Sequence, residues 1–156
     1  MKSLDRQRGL TTVEFAVIGL TVILIILAVI EMGRAMFVMS TLAEATRRAA
    51  RVAVVCPIND AAILRAATMA DAPGGPPFRA LTPDIFEVQY LDQNGGLIGN
   101  PQGSFNRIRY VRVRVNGYVH SLVLPIPGAS VASPAFETVL PRESLGIPRT
   151  GTVTAC

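Results

Sequence analysis

Between Phe15 and Ile30 the chain reads FAVIGLTVILIILAVI, sixteen residues without a charge. Carried back to Leu10, the apolar stretch spans twenty-one positions, broken only by Glu14 and a few threonines. At about 1.5 Å of rise per residue, a helix of that length covers roughly 30 Å, the hydrocarbon thickness of a bilayer. The flank before it, KSLDRQRG, is short and basic, and the flank after it carries Glu31 and Arg34. The positive-inside bias therefore places the N-terminus in the cytoplasm and the C-terminal part outside.

A basic start and an apolar run also describe a removable signal peptide. This run is longer than a usual signal core, however, and no A-x-A site follows Ile30. Helix-forming residues continue through EMGRAMFVMSTLAEATRRAARVAVV until Pro57 interrupts them. The pattern predicts one helix of about 45 residues, roughly 65–70 Å long, half in lipid and half beneath a domain. Met36, Met39, Ala43, Ala50 and Val54 recur at helical spacing and predict its buried stripe.

Length and charge narrow the rest. At 156 residues the chain has room for an anchor and one domain. The formal charge is +4, and without residues 1–9 it falls to about +2, from twelve basic and ten acidic groups. A nucleic-acid partner is therefore poorly supported. Cys56 and Cys156 stand one hundred positions apart, with a single histidine in the chain, too few ligands for zinc. Export of the C-terminal part would make a disulfide between them the natural reading, and two buried thiols are the alternative.

Glu14 is the costly residue. A carboxylate at the centre of a span costs about 2.5–3.5 kcal/mol on insertion scales, so it usually has a partner. Cleavage after Gly9 would create an α-amine at Leu10, four residues before Glu14 and at a similar membrane depth. Glu14 could then neutralise that amine in its own or a neighbouring subunit. Snorkelling to the cytoplasmic interface is the other reading.

The segment RG-LTTVEF resembles the cleavage region of type IV pilin-like proteins, with a basic leader ending in Gly9 and Glu14 as the fifth mature residue. Glu14-Phe15 is similar to the Flp/Tad variant, in which an aromatic follows the glutamate. Leu10 stands where ordinary type IV pilins commonly have phenylalanine or methionine. The whole plan, a leader, a long helix and a domain of about 100 residues, resembles the TadE-like family of pseudopilins. That resemblance implies cleavage between Gly9 and Leu10 by a prepilin peptidase, a minor-pilin role in Flp/Tad pilus assembly, and Glu14 and Phe15 as assembly residues. The implied partners are other pilin and pseudopilin subunits, the peptidase and the inner-membrane assembly platform. The implied location is the bacterial inner membrane, single-pass, with a periplasmic domain that can enter the extracellular pilus.

Past Pro57, Asn59 is the expected cap of a short helix, DAAILRAATMA, with Ile63, Leu64 and Ala67 on its apolar face. The proline-rich run at 71–78 reads as a stiff linker. Residues 85–91, IFEVQYL, form a predicted strand that buries Ile85 or Phe86, Val88 and Tyr90. Asn116-Gly117 is a favoured type I′ turn and predicts a hairpin pairing Val115 with Tyr118, Val113 with His120 and Val111 with Leu122. Ile108 and Tyr110 then fall out of phase, which predicts a bulge near Tyr110-Val111. Arg112 and Arg114 would share the opposite face with Val119, Ser121 and Val123. A short edge strand within PIPGASVASPAF and a further strand at 136–140 complete a three- or four-stranded sheet.

No catalytic constellation emerges. His120 has no acid–serine or acid–cysteine arrangement around it and reads as a structural histidine on an apolar side. Gly95-Gly96, Gly99 and Gly103 lack phosphate-loop spacing, and Asp84 and Glu87 are isolated acids. The arginine-rich strand at 107–114 reads as a solvated or inter-subunit face. Gly19, Ala28 and Gly33 would permit close helix approach.

The expectation is thus an α+β protein: a leader at 1–9, a long helix at 10–56 spanning the membrane at about 10–31, and an exported domain at 57–156. It is expected to be no enzyme and to need no cofactor or metal. The alternatives are an uncleaved signal-anchor protein with a periplasmic ligand- or wall-binding domain, and an exported enzyme.

Overall fold

The computed structural model describes residues 5–122, 130–147, 151–153 and 156, with side chains from residue 11 onward. A single helix, α1 (Asp5–Val55), runs for 51 residues. It ends where the residue before Pro57 is pushed out of the helical region. Its last carbonyls find distant donors: Val54 O accepts from the backbone N–H groups of Glu143 and Leu145, and Val55 O from that of Gly146. The Ser144 hydroxyl donates to Val55 O as well, at 3.0 Å.

A second helix, α2 (Ala61–Thr68), packs against the outer end of α1. Its cap is Asp60, whose carboxylate accepts from the Ala62 N–H at 2.8 Å. Asn59 was the expected cap, but it lies one residue too early and adopts a φ of 61°. Ile63 and Ala67 are buried.

Strands β1 (Phe86–Leu91), β2 (Tyr110–Val115) and β5 (Glu137–Pro141) form an antiparallel sheet in the order β1-β2-β5, and β3 (Val119–Ser121) pairs with β4 (Ser130–Ala132) in a separate ribbon. Leu42, Ala45, Ala49 and Ala53 of α1 join Val111, Val113 and Val115 of β2 in one core. The long helix with a small antiparallel sheet is the α+β arrangement the sequence predicts.

The hairpin expected at Asn116-Gly117 is absent. Both edges of β2 are occupied, by β1 on one side and β5 on the other. A type I′ turn needs positive φ at two residues, and only Gly117 has it, at 70°. The Asn116 N–H donates instead to Ile85 O at 2.8 Å, and the chain departs into β3. The expected bulge is also absent, since the register runs unbroken from Phe86↔Val115 to Leu91↔Tyr110. Ile108 is buried from the turn before the strand, where the Arg109 N–H donates to Leu91 O. Arg112 and Arg114 face β1 partners, not Val119 and Ser121. Val123, expected on the same face as Arg112 and Arg114, lies outside the described residues.

The predicted stripe on α1 is half right. Ala50 and Val54 are buried, yet Met36 is 59% exposed. Met36 lies five helical turns below Val54 and therefore on the same azimuth. The domain wraps that azimuth only at the outer end, where α2 packs. The stripe that is covered along the whole outer half follows Val38, Leu42, Ala45, Ala49 and Ala53.

Candidate functional site

From Thr11 to Ile30 α1 stands clear of the domain, and every residue is exposed except the half-buried Gly19. This section of helix is long and apolar enough to cross a membrane, with none of its side chains buried in the fold. Thr21 removes its own polar cost by donating its hydroxyl to Val17 O at 2.9 Å. A side chain added at Gly19 or Gly33 would meet nothing within 4 Å in this chain, so both positions are open to close approach from outside.

The sequence-predicted residues fall at two ends of one rod. Gly9 and Leu10 lie in the first turns of α1. Glu14 and Phe15 follow on the bare section, Phe15 being 79% exposed. Leu10 and Glu14 are one turn apart, the spacing at which neighbouring groups on a helix meet. Cys56 and Cys156 are bonded to each other at the far end, with Cα atoms 5.8 Å apart. At about 1.5 Å per residue, Glu14 and Cys56 are roughly 63 Å apart along the helix.

Between the ends is a cluster the sequence did not predict. Glu31, 6% exposed, is the first buried residue after the bare section. Arg34 donates to both of its carboxylate oxygens, at 2.8 and 3.0 Å. His120 of β3, 5% exposed, sets its Nε2 3.5 Å from Glu31 Oε1, and no hydrogen bond reaches that nitrogen among the described residues. Burial pushes the Tyr118 hydroxyl up from its ordinary value, and the charge on Arg34 partly offsets the rise. The Glu31–Arg34 pair was legible as an i,i+3 spacing. Its third member was not, because the expected hairpin put His120 opposite Val113.

The outer face of the three-stranded sheet carries a ladder of charge. Arg114 donates through Nε and a terminal nitrogen to Glu87 Oε2, at 2.9 and 2.7 Å. Arg112 Nε donates to Gln89 Oε1 at 2.8 Å, and Gln89 in turn donates to Glu87. The Arg114 bonds hold the Glu87 carboxyl below its ordinary value, with Gln89 adding to the effect. At the back of the sheet, Thr138 of β5 donates to the buried Thr46 hydroxyl at 3.2 Å. Arg48, Arg51 and Arg65 rim an open groove of about 440 Å³ between α1 and α2, floored by Val52, Ala66 and Met69.

Residues 9–51 match the family model described as TadE-like protein. The match covers the glycine of the expected cleavage junction, Glu14 and Phe15, the bare section and most of the packed helix, and it agrees with the resemblance carried by RG-LTTVEF. The domain after α1 lies outside it. No curated protein matches the chain, and no solved structure does so either.

Proposed function

We propose that this chain, TadE-like over residues 9–51, is a minor pilin or pseudopilin that acts in assembly of a Flp/Tad pilus. In this reading a prepilin peptidase cuts between Gly9 and Leu10, and the chain is the substrate of an enzyme rather than an enzyme. The observation that carries it is the division of α1: a bare apolar section with one carboxylate, Glu14, continuing without a break into a packed, disulfide-tied domain. A bare helix of this kind can pack laterally against its like in lipid, where small residues and open faces allow close approach. The domain, rigidly joined through the same helix, then presents itself wherever the helix is carried.

The chemistry at the junction supports the same reading. Cleavage after Gly9 would leave an ammonium on Leu10 one turn from Glu14, an ion pair that lowers the cost of a carboxylate in lipid. In an assembled array the Glu14 of one subunit meets the Leu10 amine of its neighbour. The working location is the bacterial inner membrane, with the N-terminus in the cytoplasm and the disulfide-bonded domain in the oxidising periplasm. The partners are pilin subunits, the peptidase and the assembly platform.

Coexpression with and without a prepilin peptidase tests the proposal. Wild-type chain shortens in its presence, Gly9→Asp does not, and Glu14→Ala is cut but fails to support pilus formation. A chain that keeps its length with active peptidase would favour an uncleaved signal anchor. Normal piliation in Glu14→Ala would remove Glu14 from the mechanism.

A further inference from the structure

The long helix works as a ruler for the domain. The segment at 143–146 meets it at Val54 and Val55, Thr138 meets it at Thr46, and His120 meets it at Glu31. By helical rise, the β3–β4 ribbon sits about 22 Å nearer the bare section than the Thr46–Thr138 contact does. Glu31 is also the first charge after the uncharged run Phe15–Ile30. In a helix that crosses a bilayer it therefore marks the edge of the hydrocarbon. A ribbon seated on Glu31 lies at the level of the lipid headgroups.

The surface of the ribbon suits that position. On the face turned away from Glu31, Val119 is 55% exposed and pairs with the exposed Ala132. Val131, opposite the buried His120 on the other face, is still 42% exposed. From Val115 to Phe136 the sequence carries no Asp, Glu, Lys or Arg over twenty-two residues, in a chain that is 17% charged. Arg114 and Glu137 bracket the stretch on either side. The three-stranded sheet, further from the bare section, shows the opposite character, with Glu87, Arg112 and Arg114 on its outer face. Apolar side chains gain by partial burial at a bilayer interface. An uncharged surface placed against that interface is stabilised there, whereas in water it would be merely tolerated.

We propose that the β3–β4 ribbon is a membrane-contact surface that lays the base of the domain against the lipid headgroup layer. His120 on Glu31 sets its height. The proposal rests on the reading of residues 10–31 as a bilayer span. Its occupant is the lipid surface, because the ribbon is continuous with the helix that enters it.

The chain contains no tryptophan, so single substitutions at exposed sites introduce a unique fluorophore. Val22→Trp lies on the bare section, Val131→Trp on the ribbon and Val139→Trp on the outer face of β5. The full chain is reconstituted into vesicles of phosphatidylethanolamine and phosphatidylglycerol that carry a quencher at the headgroup or deep in the acyl chain. The expected result is loss of Val22→Trp emission to the deep quencher and a blue shift with loss to the headgroup quencher at Val131→Trp. Val139→Trp should respond to neither. Quenching at position 22 with position 131 behaving like position 139 would overturn the ribbon contact and leave the anchor standing. No quenching at position 22 would overturn the anchor and the ribbon contact together. Blue-shifted emission at position 131 that no lipid quencher reaches would identify a protein occupant, a second copy included, and would equally overturn the proposal. Retention of the Cys56–Cys156 bond on a non-reducing gel reports folding, and Ala132→Trp replaces Val131→Trp if that variant lacks the bond.

Discussion

Replacing Gly146 with alanine should uncouple the C-terminal segment from the end of α1. Gly146 donates its backbone N–H to Val55 O at 2.6 Å, at a φ of 80°. A Cβ there would stand 2.5 Å from Pro57 Cγ, 2.8 Å from Cδ and 2.9 Å from the backbone Cα. The proline ring cannot rotate away, so either the 143–146 segment or the helix end must shift. A left-handed conformation costs a non-glycine residue about 1–2 kcal/mol, and overpacking a tight contact typically adds about 1–3 kcal/mol. Together they predict a loss of about 2–5 kcal/mol, or roughly 10–25 °C in Tm for a domain of this size. Gly117→Ala is the control: its φ is 70°, but nothing lies within 4 Å of its added Cβ, so it should lose only the conformational term. Both variants are compared as full chains in detergent, with thermal unfolding followed by near-ultraviolet circular dichroism of the tyrosines. Equal stability of Gly146→Ala and Gly117→Ala would refute the close packing of this segment on Pro57.

Other perturbations read separate parts of the fold. Cys56→Ser opens a loop with a sequence separation of 100 and should cost about 4–5 kcal/mol in the chain-entropy account; the wild type should then unfold at lower urea when reductant is added, and the variant should not respond to it. Leu42→Ala, at a fully buried position, should cost about 2–5 kcal/mol, whereas Met36→Ala should stay within about 0.5 kcal/mol of wild type; equal losses would contradict the observed azimuth of the core. Glu87 has a folded pKa below its ordinary 4.5, so its contribution is present above that value and is lost as pH falls toward the lowered one. With both partners part-exposed the pair is worth less than about 1 kcal/mol, and Glu87→Gln should flatten the acid limb of the stability profile by that small amount; an unchanged profile would show the pair to be inert.

The helix and the bare section were readable because they rest on local signals: an uncharged run, good helix formers and a proline at the end. Register was a different matter. Asn116-Gly117 is a strong local turn signal, but β2 already had β1 and β5 as neighbours, and the competition among distant strands is not written in any short window. The α1 stripe failed at Met36 for a related reason. A helix rich in alanine and methionine is apolar on several faces, and which face is covered depends on how far α2 wraps. At the candidate site, Gly9, Leu10, Glu14 and Phe15 were legible as a motif, and Glu31–Arg34 as a spacing. His120 joined them only through the β3–β4 ribbon, whose two strands stand eight residues apart in the sequence.

The most direct test of the functional reading is the intact mass of the chain recovered from the membrane fraction of the cells that make it. The account predicts a polypeptide that begins at Leu10 and retains the Cys56–Cys156 bond. A mass that includes Met1 through Gly9, in cells with an active prepilin peptidase, would contradict it.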